Sequence, residues 1–300
     1  MDKSLIIGCV SNYEWDDVKY WVNSIRKSGY DGDVAVVGTN LKKEFMDKLT
    51  KEGILIQAYG PVDKDGNVLA NTSIPPHVSR FFYIWDFLEK NAKEGITWDM
   101  IITTDTRDVV FQQNPIHYFN EGWDASGYSL VATSECLAYK DEPWGNQNLY
   151  QAFGPYFHGK FKDEIIYNVG ILAGSHEAMT GLMFHIFQMS LNRPIPIVDQ
   201  AVFNVLINMQ PWKYMAVKSS DFAVNLGTTL TAIEAGHGDI GKNWKNNPTQ
   251  KILYNNAYKG KQPTIENDEV MNAHGKPYFI VHQWDRVPDI KEIVTKKYGD

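Results

Sequence analysis

The sequence lacks several features that would define other classes of protein. Only two cysteines occur, Cys9 and Cys136, so the chain is not a disulfide scaffold, and we expect both thiols to be buried and reduced. No apolar run approaches the roughly 18 to 20 residues that span a bilayer, and the amino-terminal segment leads into only a short apolar stretch. These absences predict a soluble, cytoplasmic protein without a transmembrane segment.

Positive charge is also scarce. The formal net charge is −7, which argues against nucleic acid as the main partner because binding a phosphate backbone requires a basic face. A nucleotide held through a metal ion has no such requirement. Hydrophobic residues make up 43% of the chain and charged residues 22%, as in ordinary globular proteins, while the 13% of aromatic residues suit stacking against sugars and bases.

The first third of the chain alternates apolar runs with segments of helical spacing. Buried strands are predicted at residues 5–10, 33–37, 54–58 and 100–104. Helices are predicted at residues 15–27, 41–51 and 77–90, with Gly29 as a left-handed cap after the first. Such alternation predicts a parallel sheet.

The remainder is less regular. Strands are plausible at residues 129–133, 167–173 and 278–281, and helices at residues 177–191 and 199–208. We interpret residues 134–148 as a loop and the Gly-, Asn-, Lys- and Pro-rich residues 236–269 as a long surface loop. This pattern predicts one domain, residues 1–300, whose two halves are residues 1–115 and 116–300.

The strand over residues 100–104 ends abruptly in two acids and a base, Asp105, Arg107 and Asp108. In open α/β sheets ligands bind beyond the carboxyl ends of the strands, and two carboxylates there suit a divalent cation that carries a diphosphate. A motif this short also fits a surface turn in which Arg107 pairs with either acid. Further segments of the chain favour the nucleotide-diphosphate site.

Six motifs occur in an order that resembles nucleotide-sugar glycosyltransferases with the GT-A fold, particularly the glycogenin-like and galactosyltransferase-like retaining families. The motifs are Val10-Ser11-Asn12-Tyr13, Val78-Ser79-Arg80-Phe81-Phe82, Asp105 to Asp108, Asn168-Val169-Gly170, Asp199-Gln200-Ala201-Val202-Phe203-Asn204 and His282-Gln283-Trp284. The resemblance covers nearly the whole chain, and it implies a nucleotide-binding half at residues 1–115 and a sugar- and acceptor-binding half at residues 116–300. It implies a GT-A (Rossmann-like) α/β fold, a three-layer α/β/α arrangement with a mostly parallel central mixed sheet.

The resemblance also implies an activity. The expected reaction moves a sugar from a UDP- or GDP-sugar to a glycan or another hydroxyl acceptor, with retention of configuration and with Mn²⁺ as cofactor, Mg²⁺ being the alternative. One departure concerns the acidic motif, which in these families is Asp-x-Asp, whereas Arg107 occupies the second acidic position here. Either the chain turns so that Asp105 and Asp108 both reach the metal, or Asp105 binds it with His282 alone. A histidine ligand would favour Mn²⁺, because Mg²⁺ prefers oxygen and water.

Roles on the nucleotide side follow from these positions. Tyr13 would stack on the base and Asn12 would read a pyrimidine edge, unless Asn12 only caps the following helix. Arg80 would bind diphosphate oxygens or pair with Asp105, the alternative being an exposed ion pair. The remaining predicted nucleotide contacts are Thr104, Asp105 and Arg107.

Roles on the sugar side are implied in the same way. Asp199 and Gln200 open a helix, so Asp199 is also expected to be its N-cap. By the resemblance Asp199 would bind sugar hydroxyls, Gln200 or a nearby carbonyl would face the anomeric carbon, and these two residues and Arg80 would be catalytic. The predicted sugar or acceptor contacts are Glu135, Glu142, Trp144, Asn146, Asn168, Asp199, Trp284 and Arg286.

Two mechanisms and two other functions remain open. In a retaining enzyme the departing phosphate oxygen takes the acceptor proton, whereas an inverting enzyme needs a base such as Asp199 or Glu135. A sugar-phosphate nucleotidyltransferase would need a glycine-rich loop after the first strand, and residues 11–14 contain no glycine. A non-catalytic nucleotide-sugar or glycan-binding module would need the acids only for structure.

Overall fold

In the computed structural model strands and helices alternate regularly over the first third of the chain and less regularly afterwards. The structure describes residues 3–70, 72–119, 123, 127–243, 246–257 and 262–300. The strands are Ser4–Ser11 (β1), Asp33–Thr39 (β2), Leu55–Ala58 (β3), Met100–Thr104 (β4), Val109–Phe111 (β5), Leu130–Ala138 (β6), Ile165–Gly174 (β7), Ala216–Ser219 (β8), Ala223–Asn225 (β9), Thr264–Glu266 (β10), Glu269–Met271 (β11) and Ile280–His282 (β12). The helices are Trp15–Lys27 (α1), Lys43–Lys51 (α2), Pro76–Lys93 (α3), Pro143–Phe161 (α4), His176–Ser190 (α5), Asp199–Ile207 (α6), Trp212–Met215 (α7), Leu230–Glu234 (α8), Gly238–Lys242 (α9), Pro248–Asn256 (α10) and Pro288–Tyr298 (α11).

The central sheet has seven strands in the order β3-β2-β1-β4-β7-β6-β8. Every pairing is parallel except those of β7, which runs antiparallel to both β4 and β6. The parallel strands therefore end at one edge, the place where ligands bind in such sheets. The prediction of a mostly parallel mixed sheet is confirmed.

Hydrophobic cores lie on both faces of this sheet because successive strand residues point to opposite sides. Leu5 and Ile7 of β1 pack in the core that also contains the apolar faces of α3, α5 and α6. Ile6 and Val10 pack in the core that contains those of α1 and α2. The result is the three-layer α/β/α arrangement that the sequence predicted.

A second, three-stranded sheet stands beside the first, in the order β5-β12-β9. β12 pairs antiparallel with β5 and parallel with β9, so that His282 lies opposite Val109 on one side and Asn225 on the other. Because β5 directly follows the turn that starts at Asp105, this small sheet carries the late histidine to the acidic motif.

Two loop predictions are wrong in part. Residues 134–148 continue β6 to Ala138 and enter α4 at Pro143, and residues 236–269 contain α9, α10 and β10. Helix α4 also bends at Gly154, where φ is 73°, directly before Pro155. The predicted left-handed cap at Gly29 is confirmed by its φ of 77°.

The cysteines and the membrane prediction have separate outcomes. Cys9 and Cys136 are free thiols, and both are half-buried rather than fully buried as expected. Within the described ranges, none of the helices is both long enough and apolar enough to cross a membrane.

Candidate active site

The acidic motif and the late histidine converge at one point. Asp105 follows β4, Asp108 precedes β5 and His282 ends β12, and one ligand atom from each lies within 4.8 Å of the others. The Nε2 atom of His282 is 3.4 Å from Oδ2 of Asp105 and 3.7 Å from Oδ1 of Asp108. The chain between the two acids therefore turns so that both carboxylates reach the same space, while Arg107 is exposed.

The donor chemistry of this cluster fits a divalent cation. Two carboxylates and an imidazole supply electron pairs from three directions. The imidazole nitrogen suits Mn²⁺, whereas Mg²⁺ prefers ligands that are all oxygen atoms. Gly170 of β7 leaves room for it, because a Cβ there would lie 2.7 Å from both Oδ2 of Asp105 and Cε1 of His282. The identity of the metal is not fixed by these ligands.

Burial and mutual charge shift the three titratable groups in different directions. Burial alone would raise the pKa of Asp105, but the Arg80 guanidinium and His282 hold it well below its usual range. Burial raises the pKa of Asp108. Burial would lower the pKa of His282, but the carboxylates of Asp105 and Asp108 raise it instead. The charge of each of these groups thus depends on the others and on Arg80.

Arg80 connects this cluster to Asp199. It projects from α3 and pairs with Asp105 through Nη1 and with Asp199 through Nη2, whose distance to Oδ2 is 2.7 Å. Its Nε is buried and has no hydrogen-bond partner among the described residues. The interpretation of Arg80 as an exposed ion pair is therefore wrong.

Asp199 is the first residue of α6 and Val198 is the N-cap, so the expectation that Asp199 caps the helix is also wrong.

Two cavities meet at this site. The first, of about 520 Å³, contains the metal-ligand cluster together with Tyr13, Arg80, Arg107, Asp199 and Arg286. Arg286 reaches towards Asp108, with Nη2 3.6 Å from Oδ2. This first cavity combines acidic ligands with three guanidinium groups.

The second cavity, of about 500 Å³, is lined by Glu135, Glu142, Tyr254 and His237 among others. It shares four residues with the first cavity, namely Trp144, Asn168, Gln200 and Gln283. No lysine or arginine lines it in the part of the chain that the structure describes. The two cavities are thus continuous in their lining but differ in charge.

Glu135 is the buried acid of the second cavity. Its side chain is 5% exposed, and its Oε1 accepts a hydrogen bond from Nδ2 of Asn168 at 2.7 Å. Burial raises the pKa of Glu135 to about 7. Asn168 in turn accepts a hydrogen bond from the backbone N–H of Gly170. Its amide is therefore held in place where the two cavities adjoin.

Glu142 and Trp144 begin α4. The Glu142 carboxylate caps this helix by accepting hydrogen bonds from the backbone N–H groups of Trp144 and Gly145. It lines the second cavity while its oxygens are engaged in the cap. Trp144 is 52% exposed and borders both cavities.

Two predicted nucleotide contacts lie apart from the first cavity. Asn12 is exposed, has a left-handed φ of 57° and does not line the cavity; Glu14, not Asn12, is the N-cap of α1. Thr104 is buried and its hydroxyl accepts a hydrogen bond from Nε1 of Trp21 at 2.8 Å. That side chain is therefore engaged on the α1 face of the sheet.

Two predicted sugar contacts also lie elsewhere. Asn146 forms a hydrogen bond of 2.7 Å with the His158 ring on α4 and lines neither cavity. Trp284 is 5% exposed and packs against Tyr20, with ring centroids 5.1 Å apart. Its apolar ring belongs to the core around α11, which explains why it is unavailable for stacking on a ligand.

Sequence reasoning missed the roles of Gln283 and Asn225. Gln283 adopts a left-handed φ of 60°, and its Oε1 accepts a hydrogen bond from the backbone N–H of Gly227 at 2.9 Å, which locks it between the cavities. Asn225 lies behind His282, with Oδ1 2.9 Å from Nδ1 of the ring. The histidine motif contained Gln283, but nothing in the sequence around Asn225 singled it out.

This chain resembles known proteins only remotely, so its chemistry is inferred from the residues described above. No family model and no curated protein matches the chain. Among solved structures, the chain is similar to the glycosyltransferase GlyE of Streptococcus pneumoniae TIGR4, with a TM-score of 0.48 and 10% sequence identity. The match covers 99% of this chain and 63% of that one, so this chain spans less than two thirds of its length. A likeness this remote carries no inference about function.

Proposed function

We propose that this protein is a metal-dependent glycosyltransferase that moves a sugar from a nucleoside-diphosphate sugar to a hydroxyl acceptor. The observation that carries the proposal is the convergence of Asp105, Asp108 and His282 from two different sheets on one cavity. A purely structural ion pair would not require three electron-pair donors to face one another. Such a donor set is suited to a divalent cation that binds a diphosphate.

The remaining lining of the first cavity supports a nucleotide. Arg80 and Arg286 lie beside the two acids and can bind phosphate oxygens, even though the whole chain carries a net charge of −7. Tyr13 lines the same cavity, at the end of β1, where its ring can stack on a base. We assign the base and diphosphate to this cavity and, as part of the proposal, the nucleotide-binding role mainly to residues 1–115.

The second cavity supports the acceptor. It adjoins the first through Asn168, Gln200 and Trp144, so a hydroxyl bound there would be close to a sugar bound near Asp199. Its carboxyl and hydroxyl groups suit hydrogen bonding to sugar hydroxyls, and Trp144 offers an apolar ring face. On this proposal the residues after 116 bind the donor sugar and the acceptor.

Each group then has a separate task. A bound cation would supply electrostatic stabilisation of the leaving diphosphate. Arg80 would hold a diphosphate oxygen while its ion pairs keep the Asp105 and Asp199 side chains in place. Asp199 would orient the sugar hydroxyls, and Gln200 would face the anomeric carbon.

The direction of attack decides whether a base is needed. With retention, the departing phosphate oxygen accepts the proton of the acceptor hydroxyl on the same face of the sugar. With inversion, a protein base is required, and Glu135 suits that task better than Asp199. It lines the second cavity and has a pKa of about 7, whereas the Asp199 carboxylate is engaged by Arg80.

Titration of metal-free protein with UDP and GDP, with and without Mn²⁺, tests the first step. We expect binding that depends on Mn²⁺ and is lost in His282→Ala, because the histidine supplies one of the ligands. Incubation with a panel of nucleotide sugars should then release free nucleoside diphosphate from one of them. Binding without turnover would instead indicate a binding module, and pyrophosphate release from a nucleoside triphosphate and a sugar phosphate would indicate a nucleotidyltransferase.

A further inference from the structure

Asn225 lies directly behind His282 in the small sheet. The two residues are partners in the parallel register of β9 and β12, and each is the last residue of its strand. Asn225 is 0% exposed and lines neither cavity, so it cannot contact a substrate. Any part that it plays in the reaction must act through the histidine.

The orientation of the Asn225 amide follows from its second neighbour. The backbone carbonyl of Ser134 lies 3.4 Å from Nδ2, and a carbonyl oxygen can only accept a hydrogen bond, so the amide nitrogen faces it. The amide oxygen therefore faces Nδ1 of His282 at 2.9 Å. Because this oxygen is also only an acceptor, the short contact is a hydrogen bond only when Nδ1 carries the proton.

This tautomer has a direct consequence for the opposite nitrogen. With the proton on Nδ1, the lone pair of Nε2 faces Oδ2 of Asp105 and Oδ1 of Asp108, at 3.4 and 3.7 Å. The other tautomer would turn a lone pair of Nδ1 towards the lone pairs of the Asn225 oxygen 2.9 Å away, and this hydrogen bond would be lost.

We propose that Asn225 is a positioning residue that keeps His282 in the Nδ1–H tautomer with Nε2 directed at the two carboxylates, ready to bind a divalent cation. The cation-binding part of this inference rests on the proposed function. The tautomer part does not, since it follows from the hydrogen bonds alone.

Two substitutions at Asn225 separate hydrogen bonding from packing. Asn225→Leu keeps a side chain of similar size but removes the acceptor, and we expect it to weaken Mn²⁺ binding about 10- to 100-fold, as loss of such an outer partner typically does. Asn225→Asp keeps an acceptor at the same place and should bind Mn²⁺ at least as tightly as the wild type. Titration of metal-free protein, followed by the electron paramagnetic resonance signal of free Mn²⁺, measures both.

Controls define the range of the measurement. His282→Ala gives the affinity expected when the ligand itself is lost. Asn272→Leu removes another buried amide, one that accepts hydrogen bonds from the backbone of residues 274 and 276, and it should leave Mn²⁺ affinity unchanged. Wild-type affinity in Asn225→Leu, or an equal loss in a folded Asn225→Asp, would overturn the proposal.

A second readout does not depend on metal binding. Nitrogen-15 spectra of histidine-labelled, metal-free protein at alkaline pH distinguish the two tautomers, and the signal missing from His282→Ala identifies the ring. We expect the Nδ1–H form in the wild type and in Asn225→Asp. An Nε2–H ring in the wild type overturns the inference even if Asn225→Leu does not fold, whereas absence of Mn²⁺ binding with an Nδ1–H ring would refute the proposed function alone.

Discussion

The two cavities that meet at Trp144 and Asn168 differ in charge more than in size. The first, of about 520 Å³, contains three arginines beside its acids, whereas the second, of about 500 Å³, contains Glu135 and Glu142 and, among the described residues, no lysine or arginine. A cavity with guanidinium groups suits the anionic part of a donor, and a cavity with carboxyl groups suits neutral hydroxyls and repels anions. On the proposed function, donor and acceptor would therefore be separated by charge as well as by position.

Removing the charge of Asp105 should have the largest effect, because Asp105 belongs to the metal-ligand cluster of the first cavity. Asp105→Asn keeps the shape of the side chain but weakens both the cation site and the ion pair with Arg80. We expect sugar transfer to fall by at least about a hundredfold, the usual result when a group that stabilises transition-state charge is lost. Transfer rates at saturating Mn²⁺ measure this.

The matched control for that change is Asp163→Asn, an exposed acid that pairs with Lys140 on the surface. It should behave like the wild type. Wild-type turnover in Asp105→Asn would remove Asp105 from the proposed site.

Asp199→Asn should distinguish contacts to the donor sugar from contacts to the nucleotide within the first cavity. Turnover should fall about a hundredfold while UDP affinity changes only a few-fold, because interactions made mainly in the transition state appear in the rate. Asparagine can still accept the hydrogen bond from Arg80, so thermal stability should stay close to that of the wild type. If affinity and stability collapsed together with turnover, Asp199 would be a structural partner of Arg80.

Glu135→Gln should change how the stability of the protein depends on pH, because Glu135 is the buried acid of the second cavity. The folded protein keeps the Glu135 proton up to a pKa of about 7, whereas the unfolded chain releases it near 4.5. The unfolded state therefore binds fewer protons between these values, so the wild type loses stability as pH rises through this window, by roughly 3 kcal/mol, and no further above it.

The glutamine variant should lack this loss. Its free energy of unfolding in urea, relative to the wild type, should rise between pH 5 and pH 8 in the presence of a chelator. The exposed Glu292→Gln on α11 serves as the control and should track the wild type. Parallel pH profiles for Glu135→Gln and the wild type would show that the second cavity does not hold a protonated acid.

Trp144→Ala should have the smallest effect and tests the border between the cavities. Loss of a stacking face should raise the KM for the acceptor about three- to tenfold and leave UDP affinity unchanged. Tyr156→Ala removes a ring that is 77% exposed on the same helix but lines neither cavity, and it should change neither quantity. A loss of UDP affinity with a normal acceptor KM would assign Trp144 to the donor instead.

The regular part of the fold was predictable because it depends on local periodicity. The bounds of α1 and β4 agree with the predicted ones at every residue, since their apolar spacing is uninterrupted. Helix α4 was missed because glycines and aromatic residues obscure its period and a bend at Gly154 divides it. Helices α9 and α10 were missed because the composition of residues 236–269 is typical of loops.

The candidate site was predictable where a motif stands at the end of a strand, as for Asp105. It was not predictable where the pairing of distant strands determines which side chains meet. Asn225 meets His282 only because β9 and β12 are neighbours, which no local pattern reports. Trp284 follows His282 directly, yet its ring turns into the core against Tyr20. Adjacency in sequence therefore identified the segment but not the direction of each side chain.

Gly170 makes the site unusually intolerant of variation at one position. Elsewhere a glycine such as Gly29 is required for its backbone angle, and a Cβ there would meet nothing within 4 Å. At Gly170 the constraint is space alone, because one added methyl group would press on Asp105, His282 and Asn168 together. In a library of all substitutions, any other residue at position 170 should therefore displace these side chains and lower activity, although no side chain there takes part in any chemistry.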